Sequence, residues 1–161
     1  MQENVDAGNV TTWERFRATA LVLATGAFVF CLDQVSKILW FAAENDLGQS
    51  GWHLVRLTAH TNYGISFNLP LPLWIPISLA LAISIGTAVL AFVRPRVTVP
   101  ALLGLGLVLG GAIGNGFDRI SLGFVRDWLL WFELSAINLA DVAIVSGCVL
   151  FWSSYSKAFK R

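Results

Sequence analysis

Four long apolar runs dominate the chain. Residues 18–32, 57–93, 97–117 and 142–156 contain no Asp, Glu, Lys or Arg and take up more than half of the 161 residues. A spanning helix needs about 20 mostly apolar residues, and the runs predict four, at about 16–40, 71–93, 98–117 and 136–156. Pro70, Pro72 and Pro76 crowd the start of the second, close to the first turn where Pro is tolerated, with Pro76 late enough to kink it. Arg94-Pro95-Arg96 predicts a tight turn into the third, which has Pro100 in its first turn. Residues 52–62 follow a different period. Val55, Leu57 and Ala59 fall on one face, and Arg56, Thr58, His60 and Asn62 on the other, which predicts a strand ending in a turn at Asn62-Tyr63-Gly64. A small β-sheet is therefore expected within about 45–69. Residues 118–135, crowded with apolar side chains from Phe124 to Phe132, are too short to span and predict a loop lying in the membrane interface. The expected fold is an all-α integral membrane protein, one membrane domain over 1–161, with four transmembrane helices, a small extracytoplasmic β-sheet and an interfacial loop.

Composition agrees. The chain is 56% hydrophobic and 13% charged, with a mean hydropathy of +0.67, where a globular average is about a quarter charged. A net charge of +1 excludes the basic stripe of a nucleic-acid binder and the biased charge of a disordered tail. Cys31 and Cys148 sit in apolar runs and are expected to be small buried hydrophobes. Neither they nor His53 and His60 have zinc-ligand spacing, so no metal or other cofactor is implied. Arg15 and Arg17 precede the first run as they would in a signal peptide, but no small-x-small site follows. Phe28-Val29-Phe30 is too bulky for a lipidation site at Cys31, and apolar character resumes at Ile38 to Phe41. The first run reads as a retained helix. Four spans place both termini and the Arg94–Arg96 turn on one side, with seven basic residues against four on the other. That bias places both termini in the cytoplasm. Trp40, Trp52, Trp74, Trp128 and Trp131 then fall at the outer interface, and Trp13 and Trp152 at the inner.

The ionisable groups gather at the outer helix ends. Asp33 and Lys37 lie four apart on the first helix, an i, i+4 ion pair in the plainest reading. Asn115, Asp118 and Arg119 end the third, and Asn138 and Asp141 begin the fourth. Asp118 and Arg119 are adjacent and point apart, so each needs another partner. Gly106, Gly110 and Gly114 form small-xxx-small steps for close helix packing, with Gly111 and Gly116 adding room for a ligand. Asp141 has no basic residue at helical spacing, and Asp127 is the acid best placed to meet it. Two carboxylates in a partly dehydrated site hold one proton between them, enough to deprotonate water and protonate a leaving amine. Two other readings stand beside this one. A Ser–Lys peptidase would use Ser36 or Ser66 with Lys37, although Ser36 and Lys37 are neighbours that point apart. A small proton-coupled transporter or lipid-binding membrane protein would use Asp141, although the inner helix halves offer almost no polar path.

Five segments occur in order: Asp33-Gln34-Val35-Ser36-Lys37, Asn62-Tyr63-Gly64-Ile65-Ser66-Phe67, Gly110 to Arg119, Val125-Arg126-Asp127 and Asn138-Leu139-Ala140-Asp141. With them the chain resembles bacterial lipoprotein signal peptidase (signal peptidase II) over about residues 16–156. The resemblance implies an inner-membrane aspartyl endopeptidase with its site at the outer face. Its substrates would be membrane-embedded prolipoproteins carrying a diacylglyceryl group on a cysteine, cut just before that cysteine, and globomycin-type cyclic peptides would inhibit it. The resemblance makes Asp127 and Asp141 the catalytic pair. Asp33, Lys37, Asn62, Gly64, Gly111, Asn115, Asp118, Arg119, Asn138 and Ala140 would bind substrate or brace the site. Arg126 departs from the family, which usually has a small apolar residue there. Pointing inward, it would lower the pKa of Asp127.

Overall fold

Three of the four helices begin where a side chain caps the free N–H groups of the first turn. In the computed structural model, which describes residues 10–42, 55–64, 71–131 and 135–158, α1 spans Thr12–Ala42. Thr11 and Glu14 form a reciprocal cap in front of it: the Glu14 N–H donates to Thr11 Oγ1 (3.2 Å) and the Thr11 N–H to Glu14 Oε2 (2.8 Å). Helix α1 is about 46 Å long at 1.5 Å per residue, more than the roughly 30 Å hydrocarbon layer, as expected for a helix that continues past Asp33. Helix α2 covers Trp74–Val93. Pro76 falls in its first turn, where the ring displaces no helical N–H bond. Helix α3 covers Val99–Leu122, capped by the Thr98 side chain with Pro100 in the first turn. Helix α4 is Leu139–Ala158. Of the earlier expectations, residues 1–9, Trp52, His53, Ser66, Phe132 and the 45–54 and 65–69 parts of the β region lie outside the described residues.

The interfacial loop expected over 118–135 is corrected. Helix α3 runs on to Leu122 and stops at Gly123, whose φ of 83° lets its N–H return to the Arg119 carbonyl. Two strands follow, β2 (Val125–Trp131) and β3 (Ser135–Ile137). They join β1 (Val55–Asn62), the strand expected from the alternation, in an antiparallel sheet ordered β1-β2-β3. Asn62 pairs with Val125 and His60 with Asp127, with an irregularity between Leu57 and His60.

Helix α3 is the axis of the bundle, and glycines let its neighbours approach. A Cβ on Gly106 would lie 2.5 Å from Thr25 of α1, and one on Gly110 2.5 Å from the Gly26 carbonyl. On another face, Gly111 meets the Ala140 carbonyl at 2.5 Å, and Gly104 the Gly147 carbonyl at 2.7 Å. Contacts with α1 advance in step along both chains, so α1 and α3 are parallel, whereas those with α4 run oppositely. Gly111 was expected to leave room for a ligand. Its space is instead filled by α4.

Helices α1, α2 and α3 are long and apolar enough to cross a membrane. Helix α4 is apolar over the shorter stretch Leu139–Ser154 and lies antiparallel along α3 through the same layer. Polarity is inverted relative to a soluble protein. Phe28, Leu81, Val145 and other large apolar side chains face outward, while Asp33, Lys37, Asp118 and Asp127 are fully buried. Cys31 and Cys148 also face outward, which corrects the expectation that they are interior. Apolar side chains on a spanning helix meet lipid tails that are as apolar as a core.

Candidate active site

The parallel run of α1 and α3, with α4 starting beside their ends, gathers the ionisable groups at one end of the bundle. They divide into two groups. In the first, Lys37 Nζ lies 2.8 Å from Asp33 and 3.3 Å from Asp118. Arg126 closes the group from β2: its Nη2 lies 2.7 Å from Asp118 Oδ1, and its backbone N–H donates to Asp118 Oδ2 at 3.0 Å. Gln34 threads through, donating to Asp33 and Asp118 and accepting from Arg126 at 2.8 Å. The second Asp33 oxygen accepts the Ala140 N–H at 3.0 Å, which ties α1 to the first turn of α4.

The second group holds Asp127 and Asp141, linked through Asn138 and Asn115, with Asn62 on Asp127 alone. Asn138 caps α4: its Oδ1 accepts the Asp141 N–H (3.0 Å), and Asp141 Oδ2 accepts the Asn138 N–H (3.1 Å). The bonds that begin the helix therefore also fix the Asp141 carboxylate. Its other oxygen accepts from Asn115 Nδ2 at 2.8 Å. Asp127 accepts from Asn138 Nδ2 (2.6 Å) and Asn62 Nδ2 (3.0 Å). Asn62 is held in turn by the Gly64 N–H, which donates to Asn62 Oδ1 at 3.0 Å, an Asx turn at the expected place. Lys37 joins the two groups by donating to Asn115 Oδ1 at 3.0 Å, an oxygen that also accepts from Asn138.

Asp127 and Asp141 line one cavity of ≈ 440 Å³. Asn62, Asn115, Arg119 and Ser135 supply its remaining polar wall, and Pro76, Leu79, Ile83, Ile144 and Val145 an apolar one from α2 and α4. Arg119 is held by the carbonyls of Asn115 (3.2 Å) and Gly64 (2.8 Å). Burial, and then the nearby Asp141 charge, push the Asp127 carboxyl up to about 7, against the opposing pull of Asn62 and Asn138.

All twelve expected site residues meet here, in different roles. Asn62, Gly64, Asn115, Arg119 and Asn138 surround the acids. Asp33, Lys37 and Asp118 form the neighbouring charge group, and Gly111 and Ala140 pack α3 on α4. Arg126 does not point at Asp127. On a strand successive side chains face opposite ways, so Asp127 and Val125 are buried on the cavity side and Arg126 turns to Asp118. Trp128 likewise stacks on Trp40 (5.9 Å), and Phe124 meets Phe41 and Tyr63. These rings, in the stretch expected to lie in the membrane interface, fasten the sheet to α1. Sequence reasoning left Gln34 unassigned, although it lies three residues before Lys37, on a shared helix face. The Ser–Lys alternative loses support, since Ser36 donates to the Asp33 carbonyl at 2.8 Å and Lys37 is held by two acids.

The fold and site define a membrane protein with a buried, amide-wired carboxylate pair opening on a largely apolar cavity. The family model described as "Signal peptidase (SPase) II" matches residues 25–156. A lipoprotein signal peptidase of Nitrobacter hamburgensis is 34% identical, over 85% of this chain and 92% of that one. Another, of Nostoc punctiforme, is 38% identical, over 81% and 87%. A solved structure described as "Bacterial membrane enzyme structure by the in meso method at 2.3 A resolution" shares the fold, with a TM-score of 0.72 at 21% identity over 84% of this chain and 87% of that one. The chain belongs to the signal peptidase II family. It is a protease of prolipoprotein signal peptides, and the transporter reading is set aside.

Proposed function

We propose that Asp127 and Asp141 are the catalytic pair of an aspartic endopeptidase acting on diacylglyceryl-modified prolipoproteins, with cleavage just before the modified cysteine. The observation that carries this reading is their placement on one cavity wall, each fixed by asparagines, with the Asp127 carboxyl pushed up to about 7. The ionised carboxylate takes a proton from water as the water oxygen attacks the scissile carbonyl carbon. The protonated one gives its proton to the carbonyl oxygen. On collapse the C–N bond breaks, the intermediate returns a proton to the pair, and the pair protonates the leaving amine. The pair ends with one proton, as it began. The apolar α2–α4 wall suits a substrate that is itself in the membrane.

In this reading the enzyme lies in the bacterial inner membrane as one domain, with both termini cytoplasmic and the acids at the outer face. A globomycin-type peptide would occupy the same cavity. The test is cleavage of a lipidated prolipoprotein peptide by the purified wild type, Asp127→Asn and Asp141→Asn. Turnover by either variant near the wild-type rate would sink the assignment. Cysteines placed at Gln2 and Arg161 test the topology, and labelling of either from the periplasm would refute it.

A further inference from the structure

At the opposite end of the bundle, a second cavity of ≈ 480 Å³ lies between the start of α1 and the turn that leads into α3. It is graded along its length. Glu14 and Arg17 stand at the helix end with Val97 of the turn, and Ala20, Leu21 and Leu102 form the apolar wall beyond them. Because α1 enters the bilayer from this end, Leu21 lies deeper than Arg17. The crevice thus runs from charged to apolar in the direction in which a phospholipid runs from head to tail. Its charges are unevenly committed. Glu14 is taken by Arg96 (3.0 Å) and by Thr11. Arg15 donates to the Phe92 carbonyl at 2.9 Å and lies over the Phe92 ring. Arg17 is exposed, and among the described residues it has no hydrogen-bond or ion-pair partner. Among the described residues of this end, Arg15, Arg17, Arg94 and Arg96 outnumber the one acid, Glu14. Trp13 and Phe16 stack at 5.6 Å beside it and face outward, as aromatic rings do at a membrane interface.

We infer that this crevice binds an anionic phospholipid, with its phosphate on Arg17 and an acyl chain along Ala20, Leu21 and Leu102. Basic pockets at the ends of membrane helices recognise anionic headgroups. A zwitterionic lipid fits less well, because its ammonium needs an acid and Glu14 is already bound. The carboxylate pair is at the other end of α3, so the site is separate from the chemistry.

The test is native mass spectrometry of the purified full chain in detergent, with equimolar phosphatidylglycerol and phosphatidylcholine. The wild type is expected to retain phosphatidylglycerol preferentially. Arg17→Gln should lower that preference about fivefold, the usual weight of one surface basic residue. Ala20→Phe, which fills the crevice without changing charge, should remove retention of both lipids. Peptide cleavage by each variant confirms folding, since neither residue touches the acids. Equal retention of both lipids by the wild type would overturn the inference, as would an undiminished preference in folded Arg17→Gln. Displacement of the lipid by millimolar inorganic phosphate would show a free-anion site and overturn it too.

Discussion

The two clusters at this end of the bundle, where α1 and α3 finish and α4 begins, use the same residue types to opposite effect. In one, Asp33 and Asp118 face Lys37 and Arg126, so the charges balance and the acids are fully buried. Each carboxylate oxygen there has a partner, and the group closes three elements on one another. In the other, Asp127 and Asp141 are bonded by amides and a backbone N–H rather than by cations. Amides orient a carboxylate without discharging it. The second cluster therefore keeps an excess of acid, opens on a cavity and holds a proton near neutral pH. Position relative to cations, more than burial, separates the brace from the proposed catalytic pair.

Removing either acid of the proposed catalytic pair should have the largest effect on turnover. Asp127→Asn and Asp141→Asn are each expected to lose at least about 10²-fold in kcat, the low end for an acid–base group. Asp127 adds a pH signature. Its folded pKa is raised, so the folded state holds a proton that the unfolded state has released. Wild-type stability should therefore fall as pH rises from about 4 to about 7. Thermal melts of Asp127→Asn over that range should show a flatter dependence. Equal slopes would remove the proton from Asp127.

In the brace, Lys37→Met should destabilise the protein by about 3–5 kcal/mol, because it leaves an uncompensated buried charge. Asp33→Asn in the same chain restores the balance of Asp118 against Arg126 and should recover part of that loss. Denaturation in detergent checks both. If the double variant is no more stable than the single, charge balance is not what the brace provides.

A smaller effect is expected of Asn138→Ser. Serine keeps the helix cap but has no amide to reach Asp127 and Asn115. Activity should fall several-fold, consistent with about 1 kcal/mol per lost hydrogen bond, while the melting temperature stays close to wild type. A large stability loss with unchanged kcat would reverse these roles.

The smallest expected change tests how the clusters communicate. Arg126→Gln leaves the brace one negative charge in excess, and Lys37 links the brace to the acids through Asn115. Groups facing the acids are Lys37 and Asp33 from α1, Asp118 and Arg119 from α3, and His60 opposite Asp127 on β1. Added negative charge favours the protonated pair, so the falling limb of kcat/KM above about 7 should move to higher pH by up to about one unit. Arg126→Lys should restore it. An unmoved profile in Arg126→Gln would show the clusters to be electrostatically independent.

Much of this arrangement was legible along the chain. The apolar runs located all four helices, and the alternation from Val55 to Asn62 located β1. Asp127 and Asp141 stood out because no basic residue lay at helical spacing from Asp141. Strand β2 was hidden because apolar residues occupy both of its faces: Val125 turns to the cavity and Trp128 to Trp40. A strand covered on both sides loses the period of two. That also concealed the direction of Arg126, which follows at once when 125–131 is known to be extended. The space at Gly111 was misread because a glycine admits a ligand and a neighbouring backbone equally well, and only the packing of α4 decides between them. The early start of α1 was written in Thr11-x-x-Glu14, a capping box that hydropathy overlooks.

The cap at the start of α4 has a consequence for how such chains diverge. Asn138, Ala140 and Asp141 begin a helix, seat it on α1 and α3, and present an acid, all within four positions. A descendant that abandoned proteolysis would still need these side chains to fold, so their survival would say little about activity. No helix end depends on the side chain of Asp127. Of the two acids it is the one free to drift once selection for cleavage is relaxed, and its presence is the better sign that a chain of this kind is still a working enzyme.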